Sequence, residues 1–241
     1  NLDRKRVIDI MEGVQKRDIK MKFCFPNAVR GDLMTRDMVK ALAGGGTYSI
    51  IYAVETASPR LQKLIRKNLN LDKVRDAIEW TFEEGIIPAG YHMLGFPTET
   101  REEIEQTVDF AVNSKMLKAA FFSVTPFPRT PLFEIVKKAY PNFEFRYDFS
   151  TGLHYFSKEP YFTKVAGIDI VQIQKRAWKR FYLSPHRIYN ILKMAPINRA
   201  FILNTLFSVS SSFLAIARPD VPMRHYFSHL PASIYDSANL G

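Results

Sequence analysis

Polar and charged side chains follow four apolar runs of this sequence, at positions where they could bind a polar ligand together. They are Arg30 and Asp32 after the first run, Glu55 at the end of the second, Tyr91 and the segment "LGFPTET" at the end of the third, and Thr125, Phe127 and Arg129 after the fourth. If the runs are parallel strands, their carboxyl ends meet at one edge of a sheet, where α/β folds bind ligands. The pattern predicts a polar ring around a pocket.

Ion pairing is an alternative role for the charged members of this ring. Glu55 could pair with Lys67 or Arg60 and approach a helix without touching a ligand. Arg30 and Asp32 could form a simple ion pair within a turn. Spacing alone leaves both alternatives open.

Local structure also accounts for the third segment, because Thr98 or Thr100 can cap the acidic helix that follows. His92 alternates with Tyr91, so if Tyr91 faces the pocket we expect His92 to be packed against helices. Cys24 lies in an apolar run and is expected to be a small core residue. Neither has a partner at catalytic spacing, and the sequence has no GxSxG, HExxH or phosphate-loop pattern.

The elements that position these residues are short runs rich in β-branched and aromatic residues, which predict buried strands. These runs are "MKFCF" (21–25), "SIIYAVE" (49–55), "AGYHMLG" (89–95) and "AAFFSVTPF" (119–127). Amphipathic helices lie between them, with cap candidates at Thr35 and at Ser58, which precedes Pro59. Strand followed by helix, repeated, predicts a parallel sheet.

The second run predicts which face of the sheet meets the helices. Ile50, Tyr52 and Val54 form a bulky face, while the alternate residues are smaller and end in the charge of Glu55. Large residues toward helices and small ones inward fit a curved barrel around a ligand. Four strands amount to half of a barrel, so we expect an α/β fold with a partial (β/α) barrel that the chain enters partway.

The chain changes character after the fourth run. We expect the half-barrel in residues 1–138, an aromatic-rich loop or lid in 139–165, and a helical C-terminal extension in 166–241, with two helices broken at Ser184 and Pro185. Residues 200–217 carry no charge. Three structures are open for this segment: a buried or dimer-packing helix, a membrane-surface helix or a transmembrane span.

Composition limits the class of protein. Lys and Arg number 34 against 24 Asp and Glu, a net charge of +10, but the basic residues are dispersed, which argues against nucleic-acid binding. The single cysteine excludes an internal disulfide and any multi-thiolate metal site made by this chain alone. We expect a cytoplasmic protein. Because the sequence lacks an initiator Met, we also expect it to be a piece of a longer protein.

Four motifs in order carry a resemblance to a known family. They are "PNAVRGD", "YAVETASPRLQKLIRKN", "EEGIIPAGYHMLGFPTETREEIEQTVDFA" and "FFSVTPFPRTPLFE", within about residues 1–135. In this order and spacing they resemble the second half of the barrel in radical S-adenosylmethionine (radical SAM) enzymes. The segment "RAWKRFYLSPHRIY" looks like the extension of the subgroup with an N-terminal cobalamin-binding domain.

The resemblance implies a (β/α)6-type barrel that binds S-adenosylmethionine and a 4Fe-4S cluster, and generates a 5′-deoxyadenosyl radical for methylation or a related oxidoreduction. Matched motif by motif, Glu55 corresponds to the ribose ligand and Lys67 to the basic position facing the methionine carboxylate. The remaining cofactor-binding candidates are Arg30, Tyr91, Gly95, Phe96, Pro97, Thr125 and Pro126. Tyr91 stands where some members have an acidic ribose ligand.

Two departures from the family pattern stand out. Thr98 and Arg129 occupy positions where the family more often has glycine, which predicts altered turns there. The CxxxCxxC loop that binds the cluster is absent, so we expect its ligands, and any cobalamin domain, to lie upstream of Asn1, and this chain alone to be inactive.

The resemblance also implies partners. We expect a small-molecule or lipid-like substrate, a reductant such as flavodoxin or ferredoxin, no nucleic acid, and a membrane surface as a further candidate. A half-barrel that has lost catalysis and serves as a ligand or protein-interaction module is the alternative.

Overall fold

The computed structural model describes residues 3–141 and 170–194. Eight α-helices and four β-strands follow each other in these residues, with a short 3-10 turn at Gly31–Leu33. Their order is α1 (Arg4–Lys16), β1 (Phe23–Val29), α2 (Arg36–Gly44), β2 (Thr47–Glu55), α3 (Pro59–Leu64), α4 (Leu71–Glu83), β3 (Ile87–Leu94), α5 (Arg101–Val112), β4 (Lys118–Ser123), α6 (Pro131–Ala139), α7 (Ile170–Tyr182) and α8 (Pro185–Met194).

The four strands form one parallel sheet in the order β1-β2-β3-β4. Each strand is therefore joined to its neighbour by a helical crossover, the arrangement that the alternating sequence pattern predicts. The predicted partial (β/α) barrel with a helical C-terminal part is confirmed in the described residues. The fourth strand is shorter than its apolar run predicts: it ends at Ser123, before Pro126, the proline within the run.

The predicted division of β2 into two faces is confirmed. Ile50, Tyr52 and Val54 are fully buried against the helices, and the Tyr52 hydroxyl lies 2.6 Å from Thr81 Oγ1 on α4. The alternate residues of β2, from Ser49 to Glu55, are only partly buried on the inner face. Burying bulky side chains on one side leaves the inner side free to shape a site.

Side-chain caps begin the helices that connect the strands. Thr35 caps α2, Ser58 caps α3 with Pro59 at its first position, and Asn70 caps α4. Each cap oxygen accepts a backbone N–H that lacks a partner within the helix. The two caps predicted from sequence, Thr35 and Ser58, are confirmed.

Polar side chains of α7 cover the outer edge of β4. The Tyr182 hydroxyl accepts a hydrogen bond from Ala119 N at 3.1 Å and donates to Ala119 O at 3.2 Å. Gln174 Nε2 donates to Phe121 O at 2.9 Å. These are backbone groups of alternate residues, which on an edge strand point away from the sheet. Helix α7 thus replaces a further strand at this edge.

A buried arginine fixes α8 to the barrel. Arg187 is fully buried, and its Nη2 donates to the carbonyls of Ala111, Val112 and Ser114 at the end of α5. Its guanidinium lies 4.0 Å from the centroid of the Phe181 ring. Burial lowers the pKa of Arg187 to about 10. The predicted break between α7 and α8 is confirmed.

The C-terminal predictions are only partly covered by the described residues. Helix α6 extends to Ala139, into the first residue of the segment predicted to be a lid. The rest of that segment beyond residue 141, and the apolar stretch 200–217, lie outside the described residues. Within residues 3–141 and 170–194, no helix combines the length and the apolar character needed to cross a membrane.

Candidate functional site

The carboxyl ends of the four strands form one edge of the sheet and bring the predicted residues toward each other. Arg30 follows β1, Glu55 ends β2, Gly95 follows β3 and Thr125 comes two residues after β4. Because the strands are parallel and in chain order, each position neighbours the next across the sheet. The backbone positions of the predicted polar ring therefore lie at this edge of the sheet.

Glu55 and Lys67 form an ion pair at the centre of this edge. Lys67 Nζ lies 2.6 Å from Glu55 Oε1, with the two side chains 22% and 23% exposed. The pairing with Lys67 that the sequence left open is therefore present. Glu55 has φ +62°, a left-handed backbone that a non-glycine residue seldom adopts, and the register of β2 with β3 shifts between Ala53 and Glu55. Such strain concentrates at functional sites.

Arg30 holds the loop that carries Lys67. Its Nη1 donates to Lys67 O at 2.8 Å, its Nη2 donates to Asn68 O at 3.2 Å, and its Nε lies 2.8 Å from Asp32 Oδ1. The alternative of an ion pair with Asp32 is thus also present. The guanidinium acts on the backbone of the loop, so Arg30 sets where the Lys67 ammonium lies.

Gln62 is a site residue that sequence reasoning missed. It is buried on α3, donates to Val54 O at 2.9 Å and Thr56 O at 2.6 Å, and accepts from Leu69 N at 3.2 Å. These bonds tie the end of β2 to the same loop. A signal was available, because Gln62 follows Leu61 on the helix face that packs against the sheet, where a polar residue must find buried partners.

Tyr91 lies on the inner face of the sheet, as predicted. Its ring packs edge-to-face on Phe122 with centroids 5.2 Å apart, and its hydroxyl donates to Pro26 O on β1 at 3.1 Å. The side chain crosses β2, where its neighbour in register is the small Ala53. Tyr91 therefore shapes the inner wall below the strand ends.

His92 points the opposite way, and its predicted packing against the helices is confirmed. The imidazole is fully buried and stacks on Phe121 with centroids 5.1 Å apart. Burial lowers the pKa of His92 to about 4, although a backbone contact at Ala120 offsets part of this effect. The side chain is neutral at physiological pH and belongs to the core.

The 95–100 turn after β3 is built around a buried carboxyl group. Gly95, with φ +95°, allows the chain to turn, and Glu99 Oε2 accepts from Gly95 N at 2.5 Å and from Phe96 N at 3.0 Å. Burial raises the pKa of Glu99 to about 8. Phe96 packs with Leu61 and Val124, so its ring is not free to contact a ligand.

The helix after this turn begins as the capping alternative predicts, with Thr100 rather than Thr98 as the cap. Thr100 and Glu103 form a reciprocal capping box. Thr98 has φ +67°, and so has Arg129 in the turn after β4. Both positions have the left-handed backbone that glycine adopts most readily.

The segment after β4 contributes Thr125 and Pro126. Pro126 is buried, whereas Thr125 is half-buried. The Thr125 Oγ1 atom is buried and has no hydrogen-bond partner among the described residues. A hydroxyl without a partner beside the strand ends is suited to bind a ligand group.

The described residues contain no group of three His, Cys, Asp or Glu side chains that could hold a metal ion. Cys24 is exposed, so the prediction that it is a core residue is wrong. It pairs in register with Ser49 on the inner face of β1, which no described element covers. The described residues therefore do not supply the ligands of an iron-sulfur cluster.

Comparison with known proteins shows similarity to one superfamily. The model of the radical SAM superfamily matches residues 1–111. An uncharacterised methyltransferase of Pyrococcus horikoshii is 28% identical over 184 residues, 76% of this chain and 39% of the relative. The bacteriochlorophyllide d C-12(1)-methyltransferase of Chlorobaculum tepidum is 23% identical over 85% of this chain and 43% of its own length. The chain thus spans less than half of either relative.

A solved structure supports the same fold. It is the radical S-adenosylmethionine methyltransferase TsrM from Kitasatospora setae, with tryptophan substrate and a SAM analogue bound. The TM-score is 0.51 at 17% identity, over 58% of this chain and 28% of that one. This likeness concerns the arrangement of strands and helices.

Proposed function

Because residues 1–111 match the model of the radical SAM superfamily, we propose that the carboxyl edge of the sheet binds S-adenosylmethionine in a longer enzyme. The observation that carries this proposal is the pair of opposite charges, Glu55 and Lys67, at the end of β2, the strand that neighbours β3 in the sheet. S-adenosylmethionine offers both a ribose diol and a zwitterionic amino acid. A carboxylate and an ammonium group 2.6 Å apart are suited to meet these groups.

Different residues of this chain would bind different parts of S-adenosylmethionine. Glu55 accepts hydrogen bonds from the ribose hydroxyls, and Lys67 faces the methionine carboxylate, since its ammonium group has two donors besides the one directed at Glu55. The backbone of Gly95, Phe96 and Pro97 lies along the adenine, opposite a segment formed by Thr125 and Pro126. Tyr91 closes the wall, and Arg30 acts through the loop of Lys67.

The proposed cluster ligands come from another part of the longer protein, since the described residues hold no such set. S-adenosylmethionine bound at a reduced 4Fe-4S cluster supplies a 5′-deoxyadenosyl radical. What the half-barrel provides is binding, orientation and exclusion of water. A flavodoxin or ferredoxin is the proposed source of electrons.

Methyl transfer is the outcome that we propose for the complete enzyme. The support comes from two relatives whose names state methyltransferase activity, one of them on a bacteriochlorophyllide. The use of cobalamin rests on the resemblance of "RAWKRFYLSPHRIY" to the extension of the cobalamin subgroup. The resemblance to this family is also the basis on which we propose a small-molecule or lipid-like substrate.

The test is made on the full-length gene product, purified without oxygen and reconstituted with iron and sulfide. We expect a brown protein that forms 5′-deoxyadenosine from S-adenosylmethionine and a reductant, measured by mass spectrometry. A colourless, inert protein would overturn the proposal. In that case the alternative, a half-barrel that binds a ligand or a protein partner without catalysis, is favoured.

A membrane surface is a second candidate partner, favoured by α8. Ile188, Tyr189 and Leu192 are 44%, 66% and 58% exposed on one side of this helix, with the exposed Lys193 beside them. Residues 170–194 contain no acidic side chain. Flotation of the full-length protein with anionic vesicles at low and high salt tests this partner, and absence of binding at low salt would discard it.

A further inference from the structure

Thr98 presents a structural problem in the 95–100 turn. Its φ of +67° is a conformation that glycine adopts readily and that a β-branched residue resists. Gly95, three residues earlier, has φ +95°. The turn therefore has two left-handed positions, only one of which is occupied by the residue that suits it.

Arg60 on α3 contacts Thr98 in two ways. Its Nη1 donates to Thr98 Oγ1 at 2.9 Å, and its Nη2 donates to Thr98 O at 2.9 Å. The bond to Oγ1 fixes the side chain of Thr98, and the bond to the carbonyl oxygen fixes its left-handed backbone. Together they restrain both sides of the residue that strains the turn.

Arg60 is itself held in place by Glu103 at the start of α5. Its Nε donates to Glu103 Oε1 at 2.8 Å and its Nη2 donates to Oε2 at 2.6 Å, a two-point contact of fixed geometry. Glu103 also accepts from Ser58 Oγ at 2.6 Å and Thr100 N at 3.0 Å. Burial alone would raise the pKa of Glu103, but the hydrogen bonds from Arg60 and Ser58 lower it to about 2, so the carboxylate is charged at neutral pH.

We propose that Arg60 is a positioning residue that holds Thr98 in a glycine-type backbone and thereby sets the shape of the 95–100 turn toward the ligand. The start of α3 follows the end of β2, where Glu55 lies, and the turn follows β3. Arg60 therefore connects the two strand ends proposed to contact the ribose and the adenine. The part of this inference that concerns S-adenosylmethionine rests on the proposed function.

The test compares Arg60→Met, Thr98→Gly and the double variant in the full-length protein. Hydrogen–deuterium exchange of peptides covering residues 95–100 is measured without ligand, and the affinity for S-adenosylmethionine is measured by calorimetry. Losing bonds from a charged donor should raise exchange in the turn about tenfold and weaken the affinity by a similar factor in Arg60→Met. Lys63→Met, an exposed position on the same helix, is the matched control.

Rescue by glycine distinguishes positioning from general support. In Arg60→Met with Thr98→Gly, position 98 adopts its backbone conformation without a restraint, so exchange and affinity should return to within about threefold of the wild type. Unchanged exchange in Arg60→Met would overturn the proposal, and so would a double variant no better than Arg60→Met. Should Arg60→Met fail to fold, Arg60→Lys, which keeps the charge but loses the two-point contact, should give an intermediate exchange rate that Thr98→Gly again corrects.

The two proposals can fail separately. If exchange follows the expected pattern while the wild type does not bind S-adenosylmethionine, the role of Arg60 in the turn stands and the proposed function is wrong. If the wild type binds the ligand and Arg60→Met binds it equally well, the proposed function stands and the positioning role is wrong.

Discussion

The carboxylate of Glu55 and the ammonium group of Lys67 lie 2.6 Å apart, although 12 residues of chain separate them. The pair links the last residue of β2 to the loop after α3. Because both side chains are only 22% and 23% exposed, the loss of hydration offsets much of their attraction, and the pair is weak evidence for stability. Glu55 also has a left-handed backbone with φ +62°, and strain of this kind concentrates at functional sites.

Replacing Glu55 by Gln should therefore affect binding more than stability. We expect the affinity of the full-length protein for S-adenosylmethionine to fall about tenfold in Glu55→Gln, because a charged acceptor is lost. The free energy of unfolding should change by less than about 1 kcal/mol. Calorimetry and thermal unfolding measure the two effects. Glu83→Gln, which breaks the exposed pair with Arg36, is the control and should leave affinity unchanged.

Glu99 should make the protein less stable as the pH rises. Its pKa is raised from 4.5 to about 8, so the folded state keeps a proton that the unfolded state has lost. The stabilisation that Glu99 provides is complete below pH 4.5 and is lost as the pH rises through about 8. The total is on the order of 5 kcal/mol.

Thermal unfolding of Glu99→Gln between pH 5 and pH 9 tests this dependence. The amide cannot ionise, yet its oxygen can still accept from Gly95 and Phe96. The variant should lose less stability than the wild type over this range. Parallel profiles for the two proteins would contradict the expectation.

His92 should make the free energy of unfolding depend on pH in the acid range. Its pKa is lowered from 6.5 to about 4, so the unfolded state gains a proton first as the pH falls. Stability is therefore lost between pH 6.5 and pH 4, by roughly 3 kcal/mol. His92→Leu should therefore flatten the acid side of the stability profile, and an unchanged acid side in this variant would contradict the expectation.

Tyr182→Phe should weaken the covered edge of the sheet. The change leaves Ala119 N and Ala119 O without the hydroxyl that satisfies both. We expect a loss of about 1–3 kcal/mol in the free energy of unfolding. Tyr189→Phe is the matched control, since this ring is 66% exposed, and should change stability by less than about 0.5 kcal/mol. Equal effects of the two changes would show that the edge contact is unimportant.

Much of the fold follows from local patterns in the sequence. The alternation of Ile50, Tyr52 and Val54 with smaller residues predicts which face of β2 is buried, and Thr35 and Ser58 predict where α2 and α3 begin. These features depend on residues within one turn or one strand of each other. Such short-range signals can be recognised in the sequence without knowledge of the tertiary contacts.

Site residues that act across the fold were harder to predict. Arg60 meets Glu103 at a separation of 43 residues, and no spacing rule connects them. Thr100 and Glu103 do carry the capping-box signature, which could have marked Glu103 as a buried acceptor in need of a donor. The exposure of Cys24 could not be inferred, because its apolar neighbours describe the strand but not which elements cover it.

The order of strands in the sheet has a consequence for synthesis. Since the spatial order β1-β2-β3-β4 is also the chain order, each strand that leaves the ribosome finds its neighbour already made. Pairing therefore never waits for a later segment, which shortens the time that a strand edge is exposed to other nascent chains. Tyr182 emerges 63 residues after Ala119, and only then is the outer edge of β4 covered.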